Sequence, residues 1–210
     1  MAVSSKKRCA HFPIMIVLMP LLAVSISTSD AQQTGFFSTD GTSIVDGSGN
    51  PVVMRGVGLG GWLMQEGYMI DINTPSGGSP SSIRAQIEDL IGPADTDEFY
   101  RIYLENYVNE KDIAAIASWG YDHIRLPFHY NVLYDLETSS FKEDGFAIVD
   151  EFLEWCRTHG LYVILDMHAL PGAQNDGPIS DSDGEARLWT EPGTYQPHAI
   201  KLWKEIATRY

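Results

Sequence analysis

The chain has 210 residues, of which 44% are apolar, 11% aromatic and 20% charged, and this composition is typical of a folded globular protein. Its 14 Lys and Arg residues against 28 Asp and Glu residues give a formal charge of −14. A phosphate backbone would be repelled by that charge, so the composition argues against nucleic-acid binding and favours a neutral or cationic partner.

The N-terminus has the pattern of a secretory signal peptide. A basic stretch, residues 6–8, precedes an apolar run, residues 12–24, and small residues follow it. The run is shorter than the ~20 residues that a bilayer-spanning helix needs, so a cleaved leader is preferred over the alternative of a membrane anchor. We therefore predict a signal peptide over residues 1–31, a mature catalytic-domain segment over residues 32–210, a secreted or periplasmic location, and no membrane association after cleavage.

Cysteine usage is consistent with export of a protein that relies on its core. Cys9 lies in the predicted leader, which leaves Cys156 in the mature chain. Cys156 lies among helix-forming residues, where a buried and unreactive thiol is expected. An intrachain disulfide is thereby excluded for the mature chain, so its stability must come from a hydrophobic core.

Beyond the leader, the sequence predicts strands that alternate with helices. The bounds of these elements are predicted from turn-forming residues, runs of β-branched residues, helical periodicity and glycines that end helices. The predicted elements are a hairpin over 42–57 with its turn at 46–50, a helix over 82–91, a longer helix over 96–118 broken near Asn109, a strand over 121–128 that ends near Pro127, a helix over 145–159, a strand over 161–167, and a helix over 198–209.

The fold class follows from the strands at 121–128 and 161–167. Neither alternates between apolar and polar residues, which predicts burial on both faces of a parallel sheet that has helices outside it. A (β/α)8 TIM barrel takes ~250 residues. We predict an α/β protein that comprises about three βα units and a capping hairpin, the N-terminal part of such a barrel.

A glycine-rich stretch offers a different interpretation of the first strand. Residues 56–61 match G-x-G-x-x-G, the fingerprint of a dinucleotide-binding turn. That site also needs a helix that starts at the glycines and an acidic residue ~20 positions on, whereas residues 62–68 lead into a Gly-, Ser- and Pro-rich loop. A tight turn at the end of a strand is the preferred interpretation, and a nucleotide-dependent oxidoreductase remains as a rival.

Two predicted strands carry polar residues near their carboxyl ends, where barrel sites are built. Arg125 would be costly inside an apolar strand unless it is paired, so it predicts a carboxylate neighbour, with or without a role in substrate binding. Asp166 and His168 are two residues apart and therefore point to the same side of their strand. Asp166 is as readily a structural partner of Arg125 as a catalytic group, and His168 is the better functional candidate.

The sequence gives little support for a metal or organic cofactor. No HExxH or similar His and carboxylate set accompanies His168, which disfavours zinc. Residues 181–184 match part of a calcium loop, but the spaced ligands and the final glutamate are missing. We predict no metal and no cofactor.

Three stretches occur in one order along residues 43–210: VVMRGVGLGGWLMQE at 52–66, YDHIRLPFHY at 121–130 and LYVILDMHALPGAQN at 161–175. Together they resemble glycoside hydrolase family five, in particular its exo-β-1,3-glucanase-like and cellulase-like members. The resemblance implies a (β/α)8 barrel that hydrolyses β-glucan oligosaccharides or polysaccharides with retention of configuration. Two glutamates perform that chemistry, one as acid and base and one as nucleophile.

The resemblance places both glutamates beyond Tyr210, so it implies that this fragment lacks them and is inactive alone. Arg125 would keep the nucleophile ionised, since a nearby cation favours a charged carboxylate. His168 would hydrogen-bond to the sugar next to the scissile bond, and Glu66 would bind sugar hydroxyls. A carbohydrate-binding barrel protein without catalysis is the alternative.

The resemblance also implies roles for residues around the site. Gln174 and Asn175 would shape the loop below the substrate. Trp62 and Trp189 could stack on sugar rings, although tryptophan is often simply packed in a core.

Overall fold

The computed structural model describes residues 35–72 and 78–210. The predicted signal peptide, residues 1–31, lies outside the described residues. In chain order the elements are β1 (Ser38–Asp40), β2 (Ser43–Val45), β3 (Gly56–Gly58), α1 (Pro80–Ile91), α2 (Pro93–Tyr107), α3 (Glu110–Ser118), β4 (His123–His129), α4 (Tyr130–Leu133), β5 (Tyr134–Asp135), β6 (Ser140–Phe141), α5 (Glu143–Thr158), β7 (Tyr162–Ala169), α6 (Arg187–Thr190) and α7 (Pro192–Arg209).

A parallel sheet in the order β3–β4–β7 organises the structure. In its register, Gly58 pairs with Arg125 and Arg125 pairs with Ile164. The carboxyl ends of the strands therefore lie along one edge. The parallel direction agrees with the prediction from the continuous apolar strands.

Helices cover one face of this sheet and form the core with it. α3, α5 and α7 each contribute fully buried side chains to the core. The strand residues packed against them alternate along β4 and β7: Ile124, Leu126, Phe128, Val163, Leu165 and Met167.

The opposite face of the sheet carries different side chains. It bears Arg125, Ile164, Asp166 and His168, because side chains on a strand alternate between faces. Ile164 is 40% exposed there. The prediction that both faces are buried therefore holds for only one face in the described part of the chain.

The predicted hairpin is only partly present. The turn over 46–50 forms as expected, with the Asp46 carboxylate accepting from the backbone N–H groups of Ser48 and Asn50, both at 2.9 Å. The prediction that residues 51–57 form the second strand of the hairpin was wrong. This segment makes a single antiparallel bridge, from Pro51 to Val45, and its end joins the parallel sheet as β3. Instead β2 pairs with β1, a strand the sequence analysis missed.

Helix bounds agree best where a cap is encoded locally. The predicted break near Asn109 separates α2 from α3 by a capping box. The Asn109 side chain accepts from the Lys111 N–H at 3.0 Å, and the Asp112 carboxylate accepts from the Asn109 N–H at 3.0 Å. Both side chains accept hydrogen bonds from backbone N–H groups that would otherwise lack partners at the start of α3.

Two predicted bounds near prolines differ from the structure. β4 continues through Pro127 to His129, because Pro127 lies where the neighbouring strand β3 has already ended at Gly58 and a ladder donor is no longer required. α7 begins at Pro192 and not at residue 198, since proline suits the first position of a helix.

Within the described ranges, no helix combines the length and apolarity needed to cross a membrane.

Candidate active site

Side chains from two neighbouring strands converge at the carboxyl end of the sheet. Arg125 comes from β4, and Asp166 and His168 come from β7. Arg125 Nη2 donates to Asp166 Oδ2 and lies 3.0 Å from His168 Nδ1. The same Asp166 oxygen is 2.9 Å from His168 Nδ1. The carboxylate neighbour that Arg125 required is thus confirmed as Asp166.

Glu66 completes the cluster from the opposite side of the imidazole. Its Oε1 lies 3.2 Å from His168 Nε2, and the residue is only 8% exposed. Each ring nitrogen of His168 therefore faces a carboxylate. We call Arg125, Asp166, His168 and Glu66 the rim cluster.

Tyr68 joins the rim cluster on its solvent side. Its hydroxyl donates to the Glu66 carboxylate, and this hydrogen bond together with the negative charge of Glu66 raises the pKa of Tyr68. The ring is 69% exposed. Tyr68 was not predicted from the sequence, where its one signal is its position two residues after Glu66.

A close backbone approach holds the chain just after Glu66. Gly67 N–H donates to Gly78 O at 2.9 Å. A Cβ at Gly67 would lie 2.7 Å from Gly78 Cα and 2.5 Å from Ile72 O. Only glycine fits at this position, so the sequence Glu66-Gly67 lets the loop fold back immediately beside the cluster.

Gln174 supports His168 from the loop that follows β7. Its Nε2 donates to the His168 carbonyl, and its Oε1 accepts from Leu170 N–H at 3.1 Å. Asn175 acts within the same loop, where its side-chain oxygen accepts from Gly177 N–H at 2.8 Å and from Ser180 Oγ at 2.9 Å. Both residues thus shape the loop through backbone and side-chain contacts.

The structure does not bring Trp62 to the rim cluster. The residue is 3% exposed, its indole N–H donates to Leu104 O at 3.0 Å, and its ring packs edge-on against Phe152. Trp62 was expected to stack on a sugar, but its ring is part of the core and has no exposed face for a sugar in this arrangement. Trp189, in contrast, is exposed, and its indole N–H donates to Gln174 O at 2.8 Å.

A second polar contact, missed by sequence analysis, fastens the loop after β7 to the start of α1. The Asp181 carboxylate lies 3.0 Å from Nε2 of the buried His129 and accepts from Ser81 N–H at 2.9 Å. Burial opposes ionisation of Asp181, but the hydrogen bonds from His129 and Ser81 outweigh it and lower its pKa to about 2. No local spacing could have revealed a pair that is 52 residues apart.

The glycine-rich stretch does not form a dinucleotide-binding turn. β3 ends at Gly58, Leu63 bridges to Phe128 of β4, and a single 3-10 turn, Gly67–Met69, follows. No α-helix starts within residues 59–72, all of which are described. In the described ranges, no group of three or more His, Cys, Asp and Glu side chains is arranged to hold a metal ion.

Comparison with known proteins shows the family. The model of the cellulase family, glycosyl hydrolase family 5, matches residues 90–210. The chain is 35% identical over 176 residues to the beta-xylosidase of Phanerodontia chrysosporium, which covers 83% of this chain. The chain belongs to glycosyl hydrolase family 5.

Other similarities extend this result. Over 158 residues, 75% of this chain, the family 5 protein is 31% identical to cellodextrinase A of Ruminococcus flavefaciens. It spans only 36% of the length of either of these two relatives. The crystal structure of rutinosidase from Aspergillus niger matches with a TM-score of 0.59 at 21% identity, covering 73% of this chain and 43% of that one. This likeness supports the fold, an α/β arrangement around a parallel sheet that is consistent with part of a TIM barrel.

Proposed function

We propose that this family 5 protein belongs to a retaining hydrolase of β-glucans and that the rim cluster binds the sugar next to the scissile bond. The observation that carries the proposal is the convergence of Arg125, Asp166, His168 and Glu66 at the carboxyl end of the parallel sheet. Polar groups at that end line the site in a (β/α)8 barrel. The chain would contribute about three βα units and the capping hairpin.

Arg125 is suited to hold an anionic group in the site. Its side chain remains 43% exposed although Nη2 is bound to Asp166, so other guanidinium N–H groups stay available to an incoming partner. A cation at this position favours the ionised form of a neighbouring carboxylate. We propose that the partner is the nucleophilic glutamate, located beyond Tyr210 together with the acid and base glutamate.

His168 and Glu66 are suited to bind sugar hydroxyls. Glu66 offers carboxylate oxygens as acceptors, and hydrogen bonds to charged groups are stronger than neutral ones. His168 is held between Asp166 and Glu66, which fixes its ring before a ligand arrives. A preformed set of this kind reduces the entropy lost on binding.

Residues 1–210 by themselves are proposed to bind a glucan without hydrolysing it. Retaining chemistry needs two carboxyl groups ~5 Å apart, and family resemblance places both beyond this chain. Clear turnover of laminarin or carboxymethylcellulose by the 210-residue chain would contradict the proposal. Secretion after removal of residues 1–31 belongs to the same proposal, and N-terminal sequencing of exported protein tests it.

Calorimetric titration with laminaritriose, cellotriose and xylotriose tests the substrate class. We expect one of the two glucans to bind more tightly than xylotriose. His168→Ala should weaken binding of that glucan about 10-fold or more, since the imidazole contacts to Asp166 and Glu66 that preform the rim cluster are lost. His159→Ala is the matched control, because His159 lies before β7, at the opposite end of the sheet. The proposal would be overturned if His168→Ala and His159→Ala bound the glucan with equal affinity, or if the wild-type chain preferred xylotriose.

A further inference from the structure

Helix α2 holds the segment that leads to Glu66 through a row of aromatic side chains. Three hydrogen bonds join them: the Tyr103 hydroxyl donates to Gly61 O, the Trp62 indole N–H donates to Leu104 O, and the Tyr100 hydroxyl donates to Gln65 Oε1 at 2.8 Å. Gln65, which directly precedes Glu66, is buried. The chain is thus fixed to α2 up to the residue before the rim cluster.

Gln65 and Glu66 face opposite sides of the chain. The backbone at Glu66 is extended, with φ −134° and ψ 123°, and successive side chains of an extended segment alternate in direction. Gln65 therefore points to Tyr100 on α2, whereas Glu66 points to His168. A displacement or rotation of Gln65 would be passed directly to Glu66.

Packing leaves room beside Gln65, so hydrogen bonds fix its side chain: Tyr100 donates to Gln65 Oε1, and the Tyr103 hydroxyl also hydrogen-bonds to the Gln65 side chain. Gln65 and Tyr100 both line a cavity of about 280 Å³. Burial raises the pKa of Tyr100 to about 12, so its hydroxyl remains a donor at any working pH. The Arg84 guanidinium lies over the Tyr100 ring, 5.0 Å from its centre, and holds the ring in place.

We propose that Tyr100 is a positioning residue: through Gln65 it keeps the Glu66 carboxylate against His168 Nε2. The effect of Tyr100 on sugar binding rests on the proposed function, whereas its effect on the position of Glu66 does not. Tyr100 lies on a helix outside the sheet, and it acts on the rim cluster only through the chain of residues 65 and 66.

The test uses the imidazole NMR signals of His168 in the full chain. Glu66→Gln defines the signal of an imidazole that has lost its carboxylate neighbour. We expect Tyr100→Phe, which removes only the hydroxyl, to shift the Hε1 and Nε2 resonances of His168 towards those of Glu66→Gln. In the Glu66→Gln background the same change should add no further shift, because the coupling passes through Glu66.

Gln65→Met removes the Oε1 acceptor of the Tyr100 hydrogen bond and keeps a side chain of similar length. It should reproduce the shift of the His168 resonances, so it provides a second test if Tyr100→Phe does not fold. Tyr121→Phe is the control, since Tyr121 precedes β4 at the far end of the sheet. Unchanged His168 signals in both variants, or an equal shift in the Glu66→Gln background, would overturn the proposal.

Sugar titration separates this proposal from the proposed function. If the wild-type chain binds a glucan, Tyr100→Phe should weaken it by about 2- to 10-fold, as expected for one hydrogen bond acting indirectly. Absence of any glucan binding by the wild type would overturn the proposed function, and the His168 shifts would still decide the role of Tyr100. Weakened binding without the shifts would count against Tyr100 as a positioning residue.

Discussion

Arg125 and His168 lie on neighbouring parallel strands, with Nη2 of one 3.0 Å from Nδ1 of the other, and Asp166 contacts both. Arg125 is in register with Ile164, so its long side chain reaches along β7 to residues two and four positions further on. Asp166, which follows Ile164 on the same face of β7, is therefore the acid that pairs with the Arg125 guanidinium.

The Arg125–Asp166 pair should matter more for binding than for stability. Both side chains are partly exposed, and pairs of that kind contribute about 1 kcal/mol or less. We expect Asp166→Asn to change the free energy of unfolding by less than about 1 kcal/mol while it weakens glucan binding several-fold, because His168 and Arg125 lose the negative charge that they share. Urea denaturation and calorimetry measure the two effects. A stability loss above ~2 kcal/mol with unchanged affinity would identify the pair as purely structural.

Asp181 should make stability depend on acidity. Its pKa of about 2 in the folded protein lies below the ordinary value of 3.8. Its contribution is therefore present above pH ~3.8 and is lost as the pH falls towards ~2. Asp181→Asn should lower the free energy of unfolding by roughly 1–2 kcal/mol at neutral pH, allowing for solvent screening, and the difference from wild type should vanish near pH 2.

Denaturation at a series of pH values measures this dependence. Asp176→Asn, in the same loop but exposed, provides the comparison and should leave the profile unchanged. A pH-independent difference between Asp181→Asn and wild type would refute the assigned role of the His129 and Ser81 contacts.

Cys156 should be inert in the native protein. The thiol is 1% exposed within α5, and burial raises its pKa to about 12. The thiolate, which is the reactive form, is therefore scarce at pH 8. We expect iodoacetamide to leave residue 156 unmodified until denaturant is added, as read by peptide mass mapping. Rapid labelling of the folded protein would show that α5 opens or that the thiol is accessible.

The open face and edge of β7 should promote self-association of the 210-residue chain. Ile164 is 40% exposed on that face, and β7 is an edge strand of the described sheet. Unpaired strand edges with apolar side chains template further pairing. Ile164→Thr, which keeps a β-branched side chain, should reduce association in sedimentation velocity runs. A wild-type chain that sediments as a monomer and melts cooperatively would contradict this expectation.

Local signals in the sequence predicted several elements well. The break near Asn109 and the helix predicted over 145–159, which forms as α5, each depend on residues that are close in sequence, so they are set within one or two helical turns. The same holds for Asp166 and His168, whose spacing of two placed them on one face of β7. Polar residues near strand ends, together with three linked motifs, also indicated the site and the family.

Tertiary structure alone decided which distant groups meet. The sequence required a carboxylate for Arg125 and offered Asp166 as a candidate, and the strand register is what brings that residue, 41 positions away, to the guanidinium. It offered Trp62 as a sugar platform, whereas packing against Phe152 placed the ring in the core. It gave no sign of the contact between His129 and Asp181. Such partners depend on strand register and on loops that bring remote segments together, and neither is encoded in the spacing of neighbouring residues.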